Sequence, residues 1–127
     1  EVRRVYYPGL KDNPGHEIAC RQQSGFGAML SFELAGGEPA IQAFLAGLTC
    51  FSLAESLGGV ESLIAHPASM SHAGMDESAR ARAGIGPALL RVSVGIEDQE
   101  DLLADLSAGL ERAARVQPAP HQQRRVS

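Results

Sequence analysis

A chain of 127 residues, 44% hydrophobic and 20% charged, is large enough for one compact domain with its own core. Eleven basic against fifteen acidic side chains leave a formal charge of −4, which excludes the basic footprint that a phosphate backbone demands, so nucleic acid is not an expected partner. No apolar run approaches the ~20 residues of a bilayer-crossing helix, and Glu1 to Arg4 is charged and extended rather than signal-like; the reading is no membrane partner and a cytoplasmic location.

Val2 to Tyr7 is β-branched and aromatic and stops at Pro8-Gly9, the pattern of a strand ended by a turn. Asn13 and Pro14 are cap and first-turn residues for a helix carrying Ile18 and Ala19 up to the breaker Gly25. Ala28, Leu30, Phe32 and Leu34 alternate with Met29, Ser31 and Glu33, the period of a strand with one buried face. Pro39 opens an amphipathic helix marked by Ile41, Phe44, Leu45 and Leu48. Thr49 to Ala54 and Ser62 to Ala65 read as two strands flanking the loop "ESLGGVE".

Asp76 caps a short helix ending at Gly84. Leu89 to Val94 is a strand with Leu90, Val92 and Val94 on one face and Leu89, Arg91 and Ser93 on the other. From Glu97 a helix carries the stripe Leu102, Leu103, Leu106, Leu110 and Ala113, with acids in its first turn and Arg112 and Arg115 in its last. The remainder, 116–127, rich in Pro, Gln and Arg, is expected to be a disordered tail beyond a domain of residues 1–115. Two adjoining strands without a helix between them favour an α+β, two-layer fold: a mostly antiparallel sheet with helices packed on one face.

Most chemical motifs fail on spacing. "GFGAML" has two glycines of a GxGxxG and leads into a strand, and there is no GxxxxGK[ST]. His66 and His72, six apart around Pro67, lack the spacing of a helical zinc pair and read as structural. "AESLG" has alanine where a GxSxG elbow needs its first glycine. A carboxylate pair Glu55 and Glu61 is compatible with glycoside chemistry, but there is no Trp and only two Tyr to form a sugar platform. Cys20 and Cys50 lack CxxC spacing and are too few for a disulfide scaffold, so both are expected to be reduced and buried.

What survives is an anion site. Arg91 stands on the polar face of a strand, and Ser56-Leu57-Gly58-Gly59 is a loop small enough to bring backbone close to a ligand. A planar guanidinium grips both oxygens of a carboxylate and so sets orientation as well as charge. The competing reading is an exposed Arg in a surface salt bridge.

The runs "YYPGL", "GHEIACRQQSGFGAMLSFEL", "FSLAESLGGVESLIAHPASMSHA" and "GIGPALLRVSVGIEDQEDLLADL" together resemble the carboxyl-terminal domain of the cystathionine γ-synthase and γ-lyase family, over residues 2 to 112. These are pyridoxal 5'-phosphate (PLP) enzymes of cysteine and methionine metabolism, including transsulfuration. The resemblance implies the small C-terminal domain of a fold-type I PLP enzyme. It implies that Arg91 binds the substrate α-carboxylate with Ser56 beside it, that Leu57 belongs to the same pocket, and that Glu55 lies near the substrate side chain. Glutamate before that serine is typical of γ-synthases and γ-lyases, whereas certain β-lyases and methionine γ-lyases have tyrosine or valine. Ser71 replaces the family's threonine before His72, a conservative change.

The family's Schiff-base lysine, the aspartate on the pyridine nitrogen, the phosphate-binding residues and the stacking tyrosine all lie upstream of the matched region. The one lysine of this chain, Lys11, falls where the family has no cofactor lysine. PLP is therefore expected in the parent enzyme and not on this fragment, which is expected to be inactive alone. Glu1 in place of an initiator Met is likewise the start expected of a piece of a longer protein. A stand-alone amino-acid-binding or assembly module is the alternative, and in either case an exposed domain face predicts a homo-oligomer.

Overall fold

The structure is a computed structural model that describes residues 2–116. The tail expected over 116–127 lies, apart from Val116, outside them. The nine elements follow the order read from the sequence: β1 (Val2–Tyr6), α1 (His16–Gln22), β2 (Met29–Leu34), α2 (Gly37–Leu45), β3 (Ser52–Leu53), β4 (Leu63–Ala65), α3 (Glu77–Arg82), β5 (Leu89–Ser93) and α4 (Gln99–Ala114). The strands form one sheet in the order β1-β2-β5-β4-β3. The fold is the expected α+β layer, with β1-β2, β2-β5 and β5-β4 antiparallel.

One premise of that expectation changes. The adjoining strands β3 and β4, which favoured an antiparallel sheet, are its one parallel pair, Ser52 opposite Leu63 and Leu53 opposite Ile64. Parallel neighbours need a crossover rather than a hairpin, and residues 54–62 provide it. That crossover is the loop picked out by its serines and glycines.

The period-two alternation decides what each face carries. Phe32 and Leu34 of β2, Leu90 and Val92 of β5 and Ile64 of β4 pack with Ala40, Ile41 and Phe44 of α2 and Leu102 and Ala113 of α4 in one core cluster. Two of the four helices make the covering layer; α1 buries only Ala19 and α3 buries nothing. Gly109 of α4 lets the two covering helices approach closely, since an added Cβ would stand 2.9 Å from the Phe44 ring. Arg112 then donates from Nε to the Ala43 carbonyl at 3.1 Å and from Nη2 to that of Phe44 at 3.0 Å, closing the C-terminal end of α2.

Helix starts differ from the sequence reading by a few residues. α1 begins after Gly15, whose φ of 86° turns the chain into the helix, and Asn13 instead donates to the Pro14 carbonyl. α2 enters through Gly36 at φ 96° and ends at Leu45, before Leu48. α4 starts at Gln99, because Asp98 takes the cap, accepting from the N–H groups of Glu100 and Asp101, while Glu97 turns back to the sheet. Cys20 is exposed and Cys50 half-buried, against the expectation that both are buried; Cys20 sits on a short helix outside the covering layer. Among the described residues no helix is long and apolar enough to cross a membrane.

A buried carboxylate fastens α4 to the chain leaving α2. Asp105 accepts from the backbone N–H groups of Thr49, Cys50 and Phe51 at 2.7–3.2 Å and from the Thr49 hydroxyl at 3.2 Å. Burial alone would raise its pKa; the hydrogen bonds outweigh burial and hold the carboxyl below its ordinary value. A depressed folded-state pKa stabilises fully above the unfolded value and is lost as pH falls through the folded one. Asp105→Asn is expected to cost about 2 kcal/mol at neutral pH, the scale of bonds to a charged acceptor. It should also flatten the loss of stability below roughly pH 4, both read by urea denaturation across pH. Gly109→Ala is expected to lower the melting temperature by pressing on Phe44, at a cost of about 1–3 kcal/mol.

Candidate functional site

The face of the sheet away from α2 and α4 carries Ser31, Glu33, Arg91 and Ser93 among Met29, Leu63, Ala65 and Leu89. Arg91 on β5 lies opposite Ser31 of β2 on one side and Ala65 of β4 on the other, and Ser31 in turn lies opposite Tyr6 of β1. Paired residues point to the same face, so the guanidinium rises between two small side chains. The loop over 54–62 passes across it. Arg91 Nη2 donates to the carbonyl of Glu55 at 3.0 Å and to that of Ser56 at 2.9 Å.

The structure thus brings Arg91, Glu55 and Ser56 together, through the loop backbone rather than its side chains. Ser56 and Leu57 follow on the exposed part of the loop. No carboxylate is within ion-pair distance of Arg91 among the described residues, where the one ion pair is Arg115 with Glu111 on the surface of α4. The surface salt-bridge reading of Arg91 is therefore not met. The Arg91 Nε is buried and has no hydrogen-bond partner. A buried N–H without an acceptor costs about 1–3 kcal/mol, and a guanidinium held by two carbonyls with an idle donor edge is suited to an incoming anion.

Three residues that sequence reasoning did not place in the site hold the loop down. Ser93, two residues along β5 and so on the same face as Arg91, accepts from the Gly58 N–H through Oγ at 2.8 Å. Gly58 has φ 73°, a left-handed conformation suited to glycine. Glu97 accepts from the Ser62 N–H and from the Ser62 hydroxyl, both at 2.7 Å, and the same hydroxyl oxygen accepts from the Gly95 N–H at 2.8 Å. The Ser62 N–H, the Ser62 hydroxyl and the Glu97 N–H together hold the Glu97 carboxyl below its ordinary pKa. A Cβ on Gly95 would run into the Val60 carbonyl oxygen and stand 2.6 Å from the Glu61 carbonyl carbon, so the end of β5 can slide under the loop only as glycine. Strand alternation already put Ser93 beside Arg91; Glu97 was masked by the acidic run it shares with the start of α4.

His66 and His72 are both held by neighbouring groups of the fold. His66 Nε2 donates to the Pro87 carbonyl at 2.8 Å, which leaves Nδ1 to accept from the Ser69 hydroxyl at 2.7 Å, so His66 ties the end of β4 to the entry of β5. His72 meets Ser71 Oγ at 2.7 Å. No group of three or more His, Cys, Asp or Glu side chains is arranged to hold a metal among the described residues.

The sequence model of the family described as Cys/Met metabolism PLP-dependent enzymes matches residues 1–111. The chain belongs to this family. It is 63% identical over 112 residues to cystathionine gamma-synthase of Escherichia coli (strain K12), a match covering 88% of this chain and 29% of that protein. It is 54% identical over 112 residues to L-methionine gamma-lyase of Fusobacterium nucleatum subsp. polymorphum, covering 88% and 28%. Among solved structures, cystathionine gamma synthase from Xanthomonas oryzae pv. oryzae, in complex with aminoacrylate and cysteine, superposes with a TM-score of 0.86 at 67% identity, over 89% of this chain and 29% of that one. The chain therefore spans less than a third of the length of these relatives.

Members of this PLP-dependent family use a lysine to tether the cofactor, and here the surroundings of Lys11 decide the fit. Lys11 is exposed in the turn after edge strand β1, whereas Arg91 is two strands into the sheet. The open cavity beside Lys11 is lined by Asn13, Gly15, His16, Glu17 and Ile18, with no aspartate to meet a pyridine nitrogen. The described residues do not fit PLP.

Ser93→Ala is expected to leave the fold intact and to raise hydrogen exchange at the Gly58 amide roughly fivefold, the equivalent of one ordinary hydrogen bond of about 1 kcal/mol, as measured by NMR.

Proposed function

We propose that this chain is the C-terminal, substrate-carboxylate-binding domain of a PLP-dependent transsulfuration enzyme of the cystathionine γ-synthase or γ-lyase type, inactive without the part that carries the cofactor. The observation that carries the reading is Arg91: a guanidinium oriented by the Glu55 and Ser56 carbonyls, with a buried idle Nε and no carboxylate beside it. An amino acid's α-carboxylate supplies both the charge and the acceptors that this group lacks. The carbonyl contacts keep the guanidinium plane from rotating before the ligand arrives, so less orientational freedom is lost on binding.

The exposure of Glu55 and Leu57 on the same loop supports a pocket that includes both, with Glu55 near the substrate side chain, and Glu55 supports γ-type chemistry on homoserine esters or cystathionine. The synthase relatives at 63% and 67% identity support the same choice. Proton transfer at Cα and Cβ requires the tethered cofactor as electron sink, and Arg91 and Ser56 supply neither sink nor base. A cytoplasmic location belongs to the same reading. So does self-association of the isolated chain, because Leu53, Leu57, Val60 and Ile96 are exposed around the loop; light scattering should find a dimer or larger, and a monodisperse monomer would count against it.

The test is a chimera in which residues 1–112 replace the matching segment of the Escherichia coli synthase. Activity is expected to return, and Arg91→Ala in the chimera to lower kcat/KM about 100-fold, equivalent to roughly 2.7 kcal/mol of lost substrate stabilisation. Full activity in the Arg91→Ala chimera would refute the carboxylate role. For the chain alone, calorimetry with cystathionine separates the alternative, a non-catalytic amino-acid-binding or assembly module: affinity abolished by Arg91→Ala supports the module, and no affinity in either protein supports the orphaned domain. Borohydride treatment with PLP is expected to trap no stoichiometric adduct on Lys11.

A further inference from the structure

Helix α1, after the turn that follows β1, holds a second set of reactive side chains, outside the Arg91 site. Cys20 is exposed on α1, and its Sγ lies 3.4 Å from Nε2 of His16, one helical turn earlier. His16 Nδ1 lies 2.7 Å from the Pro8 carbonyl oxygen. A carbonyl only accepts, so Nδ1 carries the proton, and in the neutral ring Nε2 then presents its lone pair to the thiol. Phe26 stacks on the imidazole with centroids 5.7 Å apart and planes 25° from parallel, which sets the ring's plane. Nucleophile, base and the group that orients the base are all present.

Cys50 is an internal contrast. It is half-buried, its Sγ faces the Asp101 carbonyl at 3.8 Å, and no imidazole stands beside it. Beside His16, a cavity of about 330 Å³ lined by Lys11, Asn13, Gly15 and Glu17 among others leaves room for a small reagent next to the base.

We propose that Cys20 is a modification site for small disulfides of the glutathione class, with His16 as its base. Sγ attacks one sulfur of the disulfide, forming the new S–S bond as the reagent's own S–S bond breaks. The thiol proton passes to His16 Nε2, and the imidazolium returns it to the departing thiolate. One disulfide is consumed and one formed, with no other oxidant or reductant required.

The test uses the full chain as the Cys50→Ser variant, so that Cys20 is the one thiol, and a chromogenic aromatic disulfide bearing carboxylates as probe, at neutral pH. His16→Asn in that background keeps a side-chain amide that can donate to the Pro8 carbonyl but removes Nε2. The exchange rate is expected to fall about tenfold, because a free thiol is only a few per cent ionised at neutral pH and gains most from a base at hand. His16→Gly should be slow as well and be partly rescued by free imidazole, which a merely structural role for His16 would not show. With glutathione disulfide and both cysteines present, mass spectrometry should map a single mixed disulfide to Cys20. Equal rates with His16 and Asn at that position, or modification of Cys50 ahead of Cys20, would overturn the proposal.

Discussion

A strand in the middle of a sheet must present alternate side chains to opposite faces, and β5 turns that constraint into the organisation of the whole domain. Leu90 and Val92 enter the core against α2 and α4, and Arg91 and Ser93 necessarily leave on the other side. The packing that stabilises the fold is therefore the packing that aims the guanidinium. With β2 and β4 hydrogen-bonded on either side of β5, a slip of one residue would send Arg91 into the apolar layer and Leu90 out of it. Burying an unpaired charge there would cost more than the fold could absorb. The apolar residues thus guard the register that the site requires.

The loop across 54–62 depends on the same strand. Its contacts with β5 and the segment beyond come in chain order: Arg91 to the carbonyls of Glu55 and Ser56, Ser93 to Gly58, Gly95 under Val60 and Glu97 to Ser62. Every second residue from 91 to 97 serves the loop. The loop crosses over instead of making a hairpin because β3 and β4 are parallel, and this carries it over the face that holds Arg91 and Ser93. On the other side of the sheet, Asp105 gathers the N–H groups of residues 49–51 and so fixes where β3 begins. The site is held from both layers.

The Cys20 and His16 pair lies outside this framework, on a helix that contributes little to the core. Side chains there are released from packing constraints, which allows an exposed thiol to sit beside an oriented imidazole without cost to the sheet.

The order of the nine elements, the two faces of β2 and β5 and the placing of Arg91 on the face opposite Leu90 and Val92 were legible in the chain itself, because alternation and helical periodicity are local properties that each segment carries unaided. The Asp76 cap and the Gly84 stop were legible for the same reason. The parallel pairing of β3 with β4, the helix start moved from Glu97 to Gln99 and the exposure of Cys20 were decided only in the tertiary structure, since each depends on a partner distant in sequence. Glu97 could extend α4 or hold Ser62, and local preference does not choose between them; the choice falls to Ser62, 35 residues earlier, whose buried hydroxyl and N–H have to be satisfied. Arg91 and the glycine loop stand out in the chain itself, but the hydrogen bonds that join them exist only once the crossover has laid that loop across the sheet.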